Sequence, residues 1–129
     1  MKHIKVVAAI IQHEDKFLCV KRGVSKYDYI SCKYEFPGGK IESGESAEVA
    51  LRREIDEELS MDITVLDKLM TNVHAYPDFT IEMTSFLCST KSIDLELKEH
   101  TEAQWLTRDE LVNPDWAAAD IPIVEKLRA

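Results

Sequence analysis

The residues best suited to chemistry in this chain are its glutamates. Between Phe36 and Ile63, in FPGGKIESGESAEVALRREIDEELSMDI, eight residues are acidic, and five of them fall in the eleven positions from Glu48 to Glu58. No Gly or Pro interrupts Ser46 to Leu59, so the segment reads as a helix with Ser46 as its cap and Glu48 in its first turn. Glu54, Glu57 and Glu58 then stand at i, i+3 and i+4, roughly 5–6 Å apart. With Leu51 at zero on a wheel of about 100° per residue, Ala47, Ile55 and Leu59 lie within roughly 80° of it and Ala50 at about −100°. These four form the buried stripe with Leu51. Glu58 falls at about −20°, Glu54 at about −60° and Glu57 at about −120°. Two of the three carboxylates therefore intrude on the apolar side, which is the wrong phase for a solvated acidic face. Burying them unpaired is costly. Arg53 projects to another side and cannot neutralise all three, whereas a hard divalent cation such as Mg²⁺ or Mn²⁺ takes clustered carboxylate oxygens. The phase favours a metal site over structural ion pairs.

These carboxylates need elements to hold them. Upstream, Pro37-Gly38-Gly39 marks a sharp turn that lets backbone approach a ligand, with carbonyls available to a metal and amides to an anion. Ile4 to Ile11 and Phe17 to Val20 read as paired strands about the polar break QHEDK, and the polar, Tyr-rich stretch from Gly23 to Tyr34 reads as a loop. Beyond the helix, Ile63 to Leu66, Leu69 to Ala75, Phe79 to Cys88 and Gln104 to Leu106 read as strands, with Tyr76-Pro77-Asp78 as a hairpin turn. Thr107 to Leu111 begins a short helix or turn, and ADIPIVEKL from Ala119 reads as a closing helix with Asp120 near its N-cap and Pro122 in its first turn. The order is strands, helix, strands, helix. It argues for an α+β or α/β sandwich on a mixed sheet, and the length of 129 residues argues for a single domain, 1–129.

Composition narrows the class of function. Charged residues make up 31% of the chain and the net charge is −8, so a nonspecific binder of a nucleic-acid polymer, which needs a basic face, is disfavoured. An anionic ligand would need local Lys or Arg, or a divalent cation, between it and the carboxylates. The longest apolar run, Val6 to Ile11, is far below the roughly 20 residues of a membrane span. With no secretory leader read at the N-terminus, a cytoplasmic location is the expectation. Cys19, Cys32 and Cys88 are odd in number and widely spaced, as expected of reduced thiols. His3, His13, His74 and His100 share no ligand spacing, so surface or structural roles are expected for them.

The glutamate helix also fits a known pattern. Gly39, five residues, Glu45, seven residues, Arg53-Glu54-Ile55, one residue, Glu57-Glu58, one residue, Ser60-Met61 resembles the Nudix box of the MutT-like pyrophosphohydrolases. Ser60 stands where that family usually has Gly, at the helix end where Gly relieves left-handed strain, a substitution that removes no ligand. VVAAII, EFPGGK, the Trp105 strand and ADIPIVEKL extend the resemblance over nearly the whole chain, and it is closest to small members described as CTP or oxidised-nucleotide pyrophosphohydrolases.

The resemblance implies a Nudix α/β/α sandwich with a mixed β-sheet, and hydrolysis of a nucleoside diphosphate linked to another group. For a triphosphate the products would be the monophosphate and pyrophosphate. It assigns Mg²⁺, with Mn²⁺ as an alternative, to Glu54, Glu57, Glu58 and the Gly38 carbonyl. Arg53 would orient a catalytic glutamate, and Glu45 would support the loop. In LKEHTEAQW, Glu99, and less favoured Glu102, would serve as general base or further metal ligand. Arg22 and Lys40 would meet substrate phosphate or sugar, with a surface role for Arg22 and a pairing with Glu42 for Lys40 as the alternatives. Asp120 would accept a hydrogen bond from an exocyclic amine of the base, with or without a cap role. Tyr27, Tyr29, Tyr34, Tyr76 and Phe79 are candidates either to stack on a base or to pack. The nucleotide is the expected partner of a monomer or homodimer. Two rival expectations remain: a Nudix hydrolase of ADP-ribose or dinucleoside polyphosphates, and a noncatalytic nucleotide-binding module, although such modules commonly lose box glutamates and this chain keeps them.

Overall fold

The computed structural model describes residues 2–129. β1 (Lys2–His13) is the apolar run of the N-terminus, and it alternates strictly in the direction its side chains take. Val7, Ala9 and Ile11 face one core, with Leu18 and Val20 of β2 (Lys16–Lys21), while Ala8 and Ile10 face the other, with Phe17 and Cys19. Both faces of the strand are covered, which is why VVAAII reads as continuous apolar sequence.

The first core is closed by α1 (Ala47–Leu59) through Ala50, Leu51, Ile55 and Leu59, the stripe expected from the wheel. The second is closed by α2 (Ile121–Arg128) through Ile123, Val124 and Leu127, with Trp116 and Leu111 beside them. Helices on opposite faces of one sheet make an α/β/α sandwich. The sheet order is β3-β2-β1-β6-β5, where β3 is Tyr34–Glu35, β5 is Thr64–Ala75 and β6 is Phe79–Ser89. β4 (Gly38–Lys40) adds to β1 and β7 (Glu102–Thr107) to β2. β1 and β6 are parallel and every other pair is antiparallel, so the sheet is mixed.

Three local expectations need correction. EFPGGK is not only a turn: Tyr34–Glu35 pairs with β2 and Gly38–Lys40 with β1, and a Cβ on Gly38 would collide with the backbone of Val7. Glycine here permits strand contact as well as a bend. The two strands expected at Ile63 to Leu66 and Leu69 to Ala75 are one strand, β5, whose register against β6 shifts between Val65 and Met70. Asp120 precedes α2 but makes no side-chain cap bond. Its Oδ2 instead accepts the Phe36 backbone N–H at 2.9 Å.

No helix among the described residues is long and apolar enough to cross a membrane. Cys19, Cys32 and Cys88 are free thiols.

Candidate active site

The site is built where α1 passes the short strand β4. Ser46 starts the helix by accepting the Val49 N–H at 3.2 Å, and Ser60 ends it in the left-handed region, φ 52° and ψ 40°. This is the conformation for which glycine is the usual choice. Ser60 adopts it, its N–H bonded to the Asp56 carbonyl and its Oγ donating to Glu96 at 3.3 Å. The helix between these ends fixes the phase of the three glutamates.

Glu58 lies on the buried stripe, with 8% of its surface exposed. Its Oε2 is buried with no hydrogen-bond partner. Its carboxyl is pushed up to about 9, first by burial, then by a hydrogen bond to Glu54 and by the charges of Glu54, Glu35 and Glu99. Two carboxyl groups in hydrogen-bonding contact need a proton or a cation between them. The Glu54–Glu58 pair, with its unpartnered buried oxygen, could take either one. Glu57, with 59% of its side chain exposed, points instead to Arg53. Among the described residues no three acidic, His or Cys side chains converge as a finished ligand set. Glu57 would have to leave Arg53 to complete one.

Arg53 reaches further than the wheel suggests. Its Nε and Nη2 clasp both oxygens of Glu45 at 2.7 and 2.9 Å, while Nη1 donates to Glu54 at 2.9 Å and to Glu57 at 3.3 Å. Nη2 also donates to the Lys40 carbonyl at 3.2 Å. It pairs with three of the box glutamates, Glu45, Glu54 and Glu57. Glu45 is held down to about 2, first by its hydrogen bonds from Arg53 and then by the Glu42 backbone N–H, so it ties the loop to the helix as the resemblance implies.

The two glycines do different work. A Cβ on Gly39 would occupy the space of the Glu54 carboxylate, whereas one on Gly38 would meet rigid backbone. Gly39→Ala is therefore expected to leave the melting temperature within a few degrees of wild type and to lower kcat at least tenfold, because Glu54 is the movable partner. Gly38→Ala should destabilise the fold outright. Melting curves and initial rates on the two variants check this; the idea fails if the two behave alike.

A cleft of about 700 Å³ opens beside the pair. Among the residues lining it are Gly38, Gly39, Lys40, Glu58, Glu99, Arg22 and Asp120. The structure thus brings the phosphate candidates Arg22 and Lys40, the loop glutamate Glu99 and the base-reading candidate Asp120 onto one surface with Glu58. Glu102 is separated from them on β7, where it meets Lys21 and Tyr34. Tyr27, Tyr29, Tyr76 and Phe79 pack together, three of them (Tyr27, Tyr76 and Phe79) lining the cleft, while Tyr34 packs on Trp116. Asp120 is 3% exposed, and burial, followed by the charge of Glu35, pushes its carboxyl well up from the usual range.

Two lining residues escaped the sequence reading. Glu35 accepts from Arg22 Nη1 at 3.0 Å and meets His100 Nε2 at 2.9 Å. His100 is a buried side chain of the cleft wall, the structural of the two roles expected for the histidines. The pair joins residues 65 apart in sequence, so no local spacing marks it. The nearest signal was the position of Glu35 directly before Phe-Pro-Gly-Gly.

An α/β/α sandwich with Glu58, Arg22 and Lys40 on one cleft fits a class of hydrolase for phosphate anhydrides. The comparisons agree with that class. The NUDIX domain model matches residues 1–127, and the chain belongs to the NUDIX family of hydrolases. The CTP pyrophosphohydrolase of Escherichia coli (strain K12) is 33% identical over all of this chain and 94% of its own length. The 8-oxo-dGTP diphosphatase of the same organism is 29% identical over 99% of this chain and 98% of its own. The solution structure of a MutT protein of methicillin-resistant Staphylococcus aureus 252 is 40% identical, with a TM-score of 0.76 over 99% of this chain and 98% of that one.

Proposed function

We propose that this chain is a Mg²⁺-dependent nucleoside triphosphate pyrophosphohydrolase that converts a triphosphate and water into a monophosphate and pyrophosphate. The substrate is a pyrimidine triphosphate such as CTP, dCTP or 5-methyl-dCTP, or an oxidised nucleotide such as 8-oxo-dGTP. The observation that carries the reading is the Glu54–Glu58 pair, with an unpartnered buried oxygen on Glu58, beside a cleft that Asp120 also lines. Two full-length relatives named for triphosphate substrates support it.

Glu54, Glu57 and Glu58, with the Gly38 carbonyl and Glu99, are the residues that would hold the metal. Mg²⁺ bound there supplies positive charge for phosphate oxygens and lowers the pKa of water. Arg53 keeps Glu54 aligned through its 2.9 Å hydrogen bond. Arg22, itself steadied by Glu35, and Lys40 face the phosphates from the cleft wall. Glu99, on the cleft, would take the proton of the attacking water or serve as a further metal ligand. Asp120 accepts from the base. Mn²⁺ would suit the same oxygens.

The test is incubation with CTP, dCTP, 5-methyl-dCTP, UTP, 8-oxo-dGTP, dGTP, ADP-ribose and a dinucleoside polyphosphate, with Mg²⁺ and then EDTA, resolving products by anion exchange. Monophosphate with pyrophosphate from one triphosphate, abolished by EDTA, is the expected result. Preferential cleavage of ADP-ribose or the dinucleoside polyphosphate would overturn it in favour of those substrates. Tight nucleotide binding with no product would make the chain a binding module.

A further inference from the structure

Tyr76 follows β5 and is 4% exposed, yet it lines the cleft. Its ring is fixed by stacking on Tyr29 at 5.1 Å and 19°, and by edge and tilted contacts with His74 at 4.4 Å and Phe79 at 5.4 Å. Its hydroxyl oxygen accepts the backbone N–H of Ala119 at 3.0 Å. The carbonyl of Ala119 in turn accepts from Asn72 Nδ2 at 3.0 Å, so the backbone leading into Asp120 is pinned at both its polar groups. Asp120 spends one carboxyl oxygen on the Phe36 N–H.

The inventory of what remains is specific. A phenol both accepts and donates. Ala119 takes the acceptor side, and among the described residues the hydroxyl hydrogen has no acceptor. Burial, followed by the opposing influences of Ala119 and the nearby Asp120, Arg22 and Glu35, raises the phenol above its ordinary range, so it stays protonated at neutral pH. A buried donor without a partner is costly, and the partner is left to whatever fills the cleft. Asp120, which follows Ala119 and lines the same cleft, has a second carboxyl oxygen that accepts when the carboxyl is ionised. An acceptor and a donor on the wall of one cleft match an amino group next to a ring nitrogen with a lone pair, the edge that cytosine presents at its 4-amino group and N3.

Resting on the reading that a nucleotide base enters this cleft, we propose that the Tyr76 hydroxyl is a second base-reading group, donating to the ring nitrogen next to the amine that Asp120 accepts. It acts as a pair with Asp120, and the Ala119 N–H sets its direction. A keto base in the same pose meets both groups wrongly, with a carbonyl at Asp120 and an N–H at the phenol.

The experiment removes the hydrogen bond from each side in turn. Wild type, Tyr76→Phe and Asp120→Asn are compared on CTP and 3-deaza-CTP, which lacks the N3 acceptor, by kcat/KM. The same proteins are titrated by calorimetry with CMP and 3-deaza-CMP, so that the comparison does not depend on turnover. Wild type is expected to favour the cytosine ligand roughly tenfold over its 3-deaza form, and Tyr76→Phe to treat the two alike while binding the 3-deaza ligand as wild type does. A purely structural role for the hydroxyl would weaken both ligands equally. Full preference retained in Tyr76→Phe, or no preference in wild type, overturns the inference. If Asp120→Asn also leaves cytosine binding unchanged, the base does not sit in this cleft and the reading beneath the inference falls with it. Loss of cytosine binding in Asp120→Asn with Tyr76→Phe unaffected rejects the phenol alone.

Discussion

Glu58→Gln is expected to lose at least three orders of magnitude in kcat and, without added metal at pH 8, to melt roughly 5 °C higher than wild type. Both effects have one cause. Glu58 is buried on the apolar stripe of α1 against Glu54, and its carboxyl is pushed up to about 9. Between the unfolded value near 4.5 and about 9 the folded protein holds a proton that the unfolded chain has released. The folded state binds more protons in that window, so stability falls as pH rises through it. The raised group on Asp120 adds in the same direction. Metal-free wild type should therefore melt lower at pH 8 than at pH 5.5. Mg²⁺, by taking the place of the shared proton, should raise the melting temperature more at pH 8 than at pH 5.5. Glutamine keeps the shape and donates to Glu54 permanently, which removes the penalty and also the second negative charge that a cation needs. Scanning calorimetry at the two pH values, with and without Mg²⁺, reads the stability half, and initial rates read the other. A Gln variant that retained near-normal turnover, or whose melting temperature tracked pH as wild type does, would contradict this account of the pair.

The glutamate helix was legible because its evidence is local. The phase of Glu54 and Glu58 against Leu51, Ile55 and Leu59 depends only on helical geometry, and the buried stripe of α1 is the one the wheel gives. The order strands, helix, strands, helix gave a sandwich on a mixed sheet, α+β or α/β, and only the family resemblance made it α/β/α. What the sequence hid was set by contacts between distant segments. Gly38 reads as a turn until β1 is known to lie against it, where the absence of a Cβ lets Val7 approach. Asp120 reads as a helix cap by its place before Ile121-Pro122, but the backbone N–H it satisfies belongs to Phe36, 84 residues away. His100 shows no ligand spacing with the other histidines because its partner is Glu35. The wheel also undervalued Arg53: it gives the direction of a Cα–Cβ bond, whereas a long side chain covers several neighbouring positions.

That reach makes Arg53→Lys the second large prediction, an expected loss of about 100-fold in kcat with a smaller change in KM. The guanidinium makes five hydrogen bonds in fixed directions: two to Glu45, one each to Glu54, Glu57 and the Lys40 carbonyl. Lysine keeps the charge and loses the fork, so it can satisfy Glu45 or Glu54 but not both in their present places. The rate should suffer because Glu54 loses its orientation relative to Glu58, while the side chains of Arg22 and Lys40, the proposed phosphate contacts, keep their charges on the cleft. A separate signature follows from Glu45, whose carboxyl Arg53 holds down to about 2. A depressed carboxylate contributes stability that is present above its unfolded value near 4.5 and is lost as pH falls toward 2, because the unfolded state then binds more protons. The lysine variant has less of this to lose, so its melting temperature should fall less than that of wild type between pH 5 and pH 3. Glu45→Gln should reproduce the flattened acid profile with a milder loss of rate, since it leaves the Arg53–Glu54 bond in place. If Arg53→Lys instead raised KM alone, or kept its rate within twofold, the arginine would be a substrate contact or a surface charge and not the residue that aligns the helix carboxylates.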